Sequence, residues 1–326
     1  MLTNEVVPLV DVKLTFAYLA EQPIIHTEET IGNISKLKKM RVIFNGQPKS
    51  VPALSGNSFR GQLRDILADQ LCASLSNNGR QRLQFENNDV YGILYSGGAL
   101  GERSTSAQLI NDFSENLPSM RLMGAAFGNV MLPSKLVTTH IIPCARETQE
   151  ILQRTYDTLA VGLVPPMSEW PNANNLIFDD GPLTRKDDRR DRTRQRFAAP
   201  EHTEPTSETE EERQRSQMIY YVECIPSGTW LLQQLYSKFP LDHLEIGCLF
   251  DGLSTFLSQP TLGGRSAAGY GQVQVKIRGS VASNPIQWPA NWPDAVTRAI
   301  ESYRSYLREQ QDELQKILRV KLDAAR

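Results

Sequence analysis

The stretch ALSGNSFRGQLRD, Ala53 to Asp65, decides the reading of the fold. From Phe59 onward Leu63, Leu67 and Leu71 recur at helical spacing with Ile66 beside them, so SFRGQLRDILADQLCASL predicts an amphipathic helix. Ser55, Gly56 and Asn57 ahead of it are start signals, because a short polar side chain can accept a hydrogen bond from a free N–H of the first turn. Upstream, Val10, Val12, Leu14, Phe16 and Tyr18 alternate with Asp11, Lys13, Thr15 and Ala17, which predicts a half-buried strand. The order at the front is therefore strand, long loop, helix.

The same elements return near the other end. QMIYYVECIPSGTWLLQQL reads as two strand-like runs around the turn signal Pro226-Ser227-Gly228. HLEIGCLFDGLSTFLSQ offers Leu249, Leu253 and Phe256 or Leu257 as a helical apolar face, and GQVQVKIRG alternates Val273, Val275 and Ile277 against polar neighbours. Together these predict an α+β sandwich compatible with a ferredoxin-like, RRM-like βαββαβ unit. Residues 147–217 break the pattern with the Pro-rich VGLVPPMSEWPNANN, a basic run and an acidic run. After the stop-like NPIQWPANWP, residues 294–326 place Val296, Ile300, Tyr303, Leu307, Leu314 and Leu318 at the spacing of one long amphipathic helix. Four stretches follow: 1–146, the inserted 147–217, 218–280 and the helical 281–326.

Composition limits the function classes. With 40% hydrophobic residues and no apolar run near the ~20 residues of a membrane helix, the sequence reads as a soluble, cytoplasmic protein without a membrane partner. Cys72, Cys144, Cys224 and Cys248 form no CxxC pair and predict buried free thiols rather than a zinc site or disulfide framework. The net charge of −2 hides segregation: RKDDRRDRTRQR (Arg185 to Arg196) is strongly basic and EHTEPTSETEEE (Glu201 to Glu212) strongly acidic. Local clustering, not bulk charge, governs nucleic-acid binding. Neither glycine-rich segment is a nucleotide loop, since GxxxxGK[ST] is missing and GGRSAAGYG runs into a strand rather than opening a helix.

Four segments in order then carry a resemblance. SGNSFRGQLRD follows an early strand, RLMGAAFG spans Arg121 to Gly128, CIPSGTW follows Glu223, and LGGRSAAGYGQV lies near the end. This series resembles the RAMP superfamily, the repeat-associated proteins that build CRISPR effector complexes of antiviral defence, over about Val10 to Lys276. Within it the likeness is nearest the backbone subunits, and among those the type IV variety. The resemblance implies a ferredoxin-like palm with an inserted thumb, many head-to-tail copies along a guide RNA, and no metal or other cofactor. It further implies partnership with other effector subunits (cap, large or small subunit, guide-processing endoribonuclease) and with a target nucleic acid, DNA rather than RNA, met by guide pairing.

On that template Ser55, Asn57, Ser58, Arg60, Arg64, the Lys36, Lys38, Lys39 and Arg41 loop, and Gly263, Gly264 and Arg265 would bind guide phosphates. Thr184, Arg185, Lys186, Arg189 and Arg190 would belong to the thumb. RNA-cleaving relatives carry an Asp after an IGG-like turn; here Ile31-Gly32 places that position on or near Ser35, which cannot hold a divalent ion well. Glu28 and Glu29 precede the turn and read as solvated loop acids. The alternative functions are a guide-processing endoribonuclease using His26 in PIIHTEE, with His140 placed inside a strand, or a type III-like nuclease of target RNA.

Overall fold

The strand Val12–Ala20 is the spine of the largest sheet in the computed structural model, which describes residues 9–76, 81–86, 88–100, 107–156, 162–184 and 219–324. It pairs along its length with Trp230–Ser237 on one side and Val273–Val281 on the other. Leu136–Thr138 and Ile142–Pro143 extend the sheet beyond Trp230–Ser237, and Asn284–Trp288 extends it beyond Val273–Val281. Every pairing in it is antiparallel.

The side chains of Val12, Leu14, Phe16 and Tyr18 meet the helices Gly56–Leu75 and His243–Ser258 in one core. The rings of Phe16 and Phe59 lie 5.8 Å apart and those of Phe59 and Phe256 5.2 Å, edge to face. Such pairs add about 0.5–1.5 kcal/mol each beyond the area they bury. Tyr18 is fully buried because its hydroxyl donates to Gln233 Oε1 at 2.7 Å, which satisfies both polar groups.

Alternation predicts a solvated opposite face, and the structure covers part of it. Ala17 and Leu232 pack with Ile142, Cys144, Leu152, Leu163 and Trp170, so Thr15 and Ala17 are buried as deeply as their neighbours. Residues 142–156 and 162–170 supply that cover. The run LVTTHIIPCAR is accordingly not one strand: it breaks between Thr138 and Ile142, and His140 sits in the break. The two runs of QMIYYVECIPSGTWLLQQL join different sheets, because Ile219–Cys224 pairs with Phe178–Thr184 and, in parallel, with Ile34–Leu37.

The C-terminal stretch also departs from expectation. NPIQWPANWP contains the edge strand Asn284–Trp288 rather than only a stop, and the long helix is two, Asp294–Glu309 and Gln311–Leu318. Arg319 in left-handed geometry ends the second, and Val320–Ala324 returns as a strand against Gln81–Phe85. The first of these helices packs in cis on His243–Ser258. Its Ala299 carbonyl comes so close to Gly247 that a Cβ there would lie 2.1 Å from it. Cys144, Cys224 and Cys248 are buried as free thiols, while Cys72 is partly exposed. Among the described residues no helix is long and apolar enough to cross a membrane.

Candidate nucleic-acid interface

A short segment, Pro23 to His26, ties three of the four motifs together, two through main-chain hydrogen bonds and the third through the His26 ring. Gly271 N donates to Pro23 O at 2.8 Å, Ile24 and Ile225 exchange bonds at 2.9 Å, and Gly264 N donates to Ile25 O at 2.8 Å. Lys38 N donates to His26 O at 2.8 Å, while Ser55 N donates to His26 Nε2 at 3.1 Å. The glycine-rich loop, the segment after Glu223 and the start of the first long helix thus converge on one piece of backbone. Gly263 is required there, because at φ +78° a Cβ would lie 2.1 Å from Ile25 O.

The helix start itself is built as its sequence predicts. Ser55, extended at φ −65° and ψ 135°, accepts from Asn57 N at 3.2 Å. Gly56 N donates to His140 Nδ1 at 3.1 Å, so two imidazoles serve as acceptors for consecutive N–H groups. His26 is thereby engaged as a neutral ring. Burial, then the Lys38 charge, then His140 lower its pKa against the opposing pull of Glu28.

Arg60 and Arg64 turn inward. Both donate to Met123 O, Arg64 at 3.1 Å, and Arg64 also reaches Gly124 O at 3.3 Å. Desolvation lowers the pKa of each, and each keeps a buried Nε with no partner among the described residues. These two arginines hold the RLMGAAFG segment to the helix, which revises the expectation that both stand open as a phosphate clamp. Arg121 of the same segment is also internal, donating to Glu245 at 2.5 Å and Asp242 at 2.9 Å.

Lys36 of the Ile34–Leu37 strand and Lys39, at the start of the next strand, Lys39–Phe44, meet Glu223, whose role beyond a motif position was not legible in sequence. Lys36 Nζ donates to Glu223 Oε1 at 2.8 Å, Leu37 N to Oε2 at 2.9 Å, and Lys39 Nζ lies 3.4 Å away. Burial alone would push the Glu223 carboxyl up, but these donors outweigh it and hold its pKa low. Lys38 instead pairs with Glu28 at 3.0 Å, so Glu28 is more than a solvated acid. Arg41 is exposed and has no ion pair among the described residues. Ser35 is buried inside its strand, 3.4 Å from Thr30 Oγ1.

Arg265 stands exposed in left-handed geometry with its guanidinium 4.9 Å from the Tyr220 ring centroid. Tyr270 of the same loop donates to Asp180 Oδ2 at 2.6 Å. Both contacts join the glycine-rich loop to the two-strand base formed by Phe178–Thr184 and Ile219–Cys224. Arg185, Lys186, Arg189 and Arg190 lie outside the described residues; Thr184 ends the first strand of that base. Gly264 and Ser58 lie at the loop and the helix start as expected. Among the described residues no three His, Cys, Asp or Glu side chains gather as a metal site.

No protein-family model matches the chain, and no curated protein does. Among solved structures, a chain described as "Type IV-B CRISPR Complex" is 20% identical, with 87% of this chain and 96% of that one covered at a TM-score of 0.50. The crystal structure of Thermofilum pendens Csc2 covers 98% of this chain and 80% of that one, at 13% identity and a TM-score of 0.40, a likeness too weak to bear on the fold. This α+β chain therefore shares its fold with a chain of a Type IV-B CRISPR complex, the class of assembly its motifs resemble.

Proposed function

We propose that this protein is a backbone subunit of a CRISPR effector ribonucleoprotein, several copies of which line up head to tail and hold a guide RNA by its phosphates without cutting it. The observation that carries the reading is the convergence on Pro23–His26 of three separate motifs, with exposed Arg265 stacked beside them. The shared fold supports it. The strand order, with Val12–Ala20 between Trp230–Ser237 and Val273–Val281 and Leu136–Thr138 beyond Trp230–Ser237, supports a ferredoxin-like palm. The paired strands Phe178–Thr184 and Ile219–Cys224 then form the base of a thumb that includes Arg185, Lys186, Arg189 and Arg190.

In this reading Arg265, Arg41 and Lys38 face guide phosphates, whereas Arg60 and Arg64 hold the RLMGAAFG segment against the helix. His26 is occupied by Ser55 N, which favours binding over His-dependent cleavage. Other effector subunits and a guide-paired target, DNA rather than RNA, are the partners. The test is purification from cells co-expressing a repeat-spacer array, reading RNA by the ratio of absorbance at 260 and 280 nm. Wild type retains RNA, and Arg265→Ala with Arg41→Ala loses most of it while remaining folded. Binding also falls with salt at about −0.7 in log–log slope per neutralised phosphate. RNA-free wild type overturns the function; unchanged RNA in the double variant overturns the site.

A further inference from the structure

The hairpin of Lys39–Phe44 and Gln47–Pro52 grows out of the candidate interface. At its base Lys38 N donates to His26 O at 2.8 Å and Ala53 N to Lys38 O at 3.1 Å. Residues 39–52 include Lys39, Arg41 and Lys49 and neither Asp nor Glu. Lys39 meets Glu223, whereas Arg41 and Lys49 are exposed and make no ion pair among the described residues. Val42 and Val51 pack on Ala145, Ala173 and Leu176. Nearer the tip Ile43 is 65% exposed, and Asn45, Gly46, Gln47 and Pro48 are all exposed.

The tip is Asn45-Gly46, between the paired residues Phe44 and Gln47. Asn45 at φ 51° and Gly46 at φ 73° are both left-handed, the type I′ geometry that Asn-Gly suits. Neither the Asn45 carboxamide nor the Gly46 N–H has a hydrogen-bond partner among the described residues, and nothing lies within 4 Å of where a Gly46 Cβ would be. Asparagine before glycine is the pair most open to attack by the next main-chain nitrogen on the asparagine side chain, because glycine puts no side chain in the way. The attack requires Asn45 to leave its left-handed well. With the tip closed by one rung and its side chains unpacked, local opening of that kind costs little.

We propose that Asn45 is a self-modification site, at which the hairpin turns a neutral amide into a carboxylate and so weakens its own hold on a polyanion. Gly46 N loses its proton and attacks Asn45 Cγ, the new C–N bond closes a cyclic imide, and the bond from Cγ to the amide nitrogen breaks as ammonia leaves with that proton. Water then adds to one imide carbonyl and breaks its C–N bond. Opening at the side-chain carbonyl leaves an aspartyl residue. Opening at the main-chain carbonyl leaves an isoaspartyl link, which runs the chain through Cβ and lengthens the turn by one atom. Either product puts a negative charge on a hairpin that had none, with about 7 Å of strand between the Gln47 rung and Lys49. The effect on RNA rests on the reading of Arg41 as a guide contact: a unit charge about 10 Å from a phosphate in water weakens binding about twofold at low salt, and salt screens it out.

The test ages the full chain in mildly alkaline buffer and maps its tryptic peptides by mass spectrometry. The peptide Val42–Lys49 should gain the mass of an amide-to-acid change and resolve into aspartyl and isoaspartyl forms, faster as pH rises because the attacking nitrogen must lose a proton. The chain's other Asn-Gly pair, Asn78-Gly79, lies outside the described residues and falls in a separate peptide. Anisotropy of a fluorescein-labelled RNA then compares fresh with aged protein. Aged wild type should bind about twofold more weakly at low salt. Asn45→Gly, which accepts the left-handed turn and has no amide to lose, should keep its fresh affinity. If Val42–Lys49 keeps its amide in the folded chain under conditions that convert it in urea, the turn protects Asn45 and the proposal is overturned. Conversion with no difference in affinity between aged wild type and aged Asn45→Gly would keep the modification and remove the hairpin from the guide interface. If fresh wild type binds no RNA, the nucleic-acid reading falls while the mass result still decides the chemistry.

Discussion

His26 does two things at once, and its titration exposes them. Its Nε2 accepts from Ser55 N, which requires an unprotonated ring, and burial is the largest cause of its lowered pKa, with Lys38 and His140 adding to it and Glu28 opposing. Protons therefore bind the unfolded chain more readily than the folded one near the ordinary histidine range. The stabilisation is fully present above about pH 6.5 and is lost as pH falls through the folded value. Urea unfolding at pH 7.5 and 5.5 should show wild type losing more stability on acidification than His26→Gln, which keeps an acceptor but cannot titrate. Equal losses would refute this role. Gly56 beside it is fixed by space: a Cβ would lie 2.4 Å from Thr138 O and 2.7 Å from Thr139 O. Gly56→Ala should cost about 1–3 kcal/mol, as overpacking does, measured from the same urea curves.

At the scale of elements, Glu223 clasps the Ile34–Leu37 strand to the Ile219–Cys224 strand through Lys36 and the Leu37 N–H, and holds the start of the Lys39–Phe44 strand through Lys39. Glu223→Gln should lower the unfolding midpoint, because a neutral amide replaces a charged acceptor of three donors. It should also tighten RNA binding severalfold at low salt, since two lysines lose their counter-charge. A lowered midpoint with unchanged affinity would confine those lysines to holding the sheet. Sequence made the main sheet and the helices packed on it legible, because alternation and helical spacing are local signals that appear in Val10–Tyr18, Phe59–Leu71 and Val273–Ile277. It could not show that Thr15 and Ala17 are covered, nor that Arg60 and Arg64 turn to the Met123 carbonyl. Those outcomes depend on partners about 60 or more residues away. The tail was misread for a related reason: one apolar period runs through Gln310, where the first helix ends and the second starts.

For the whole molecule, the same long-range logic separates what motifs can announce from what they can build. Residues 24, 55, 225 and 264 meet at one place only after the main sheet has formed, so RNA binding should be lost cooperatively with folding rather than motif by motif. A chain that holds RNA by phosphate contacts, indifferent to base sequence, has no reason to stop at one copy per guide. Heterologous contacts that do not close into a ring let copies add until the guide is covered. Light scattering of complexes purified with guides of increasing length should therefore give masses that rise in steps of one subunit. The RNA-to-protein absorbance ratio should stay constant as they do. A fixed mass at every guide length would mean that one copy, or a closed ring, is the working unit, and the head-to-tail arrangement would have to be abandoned even if RNA remains bound.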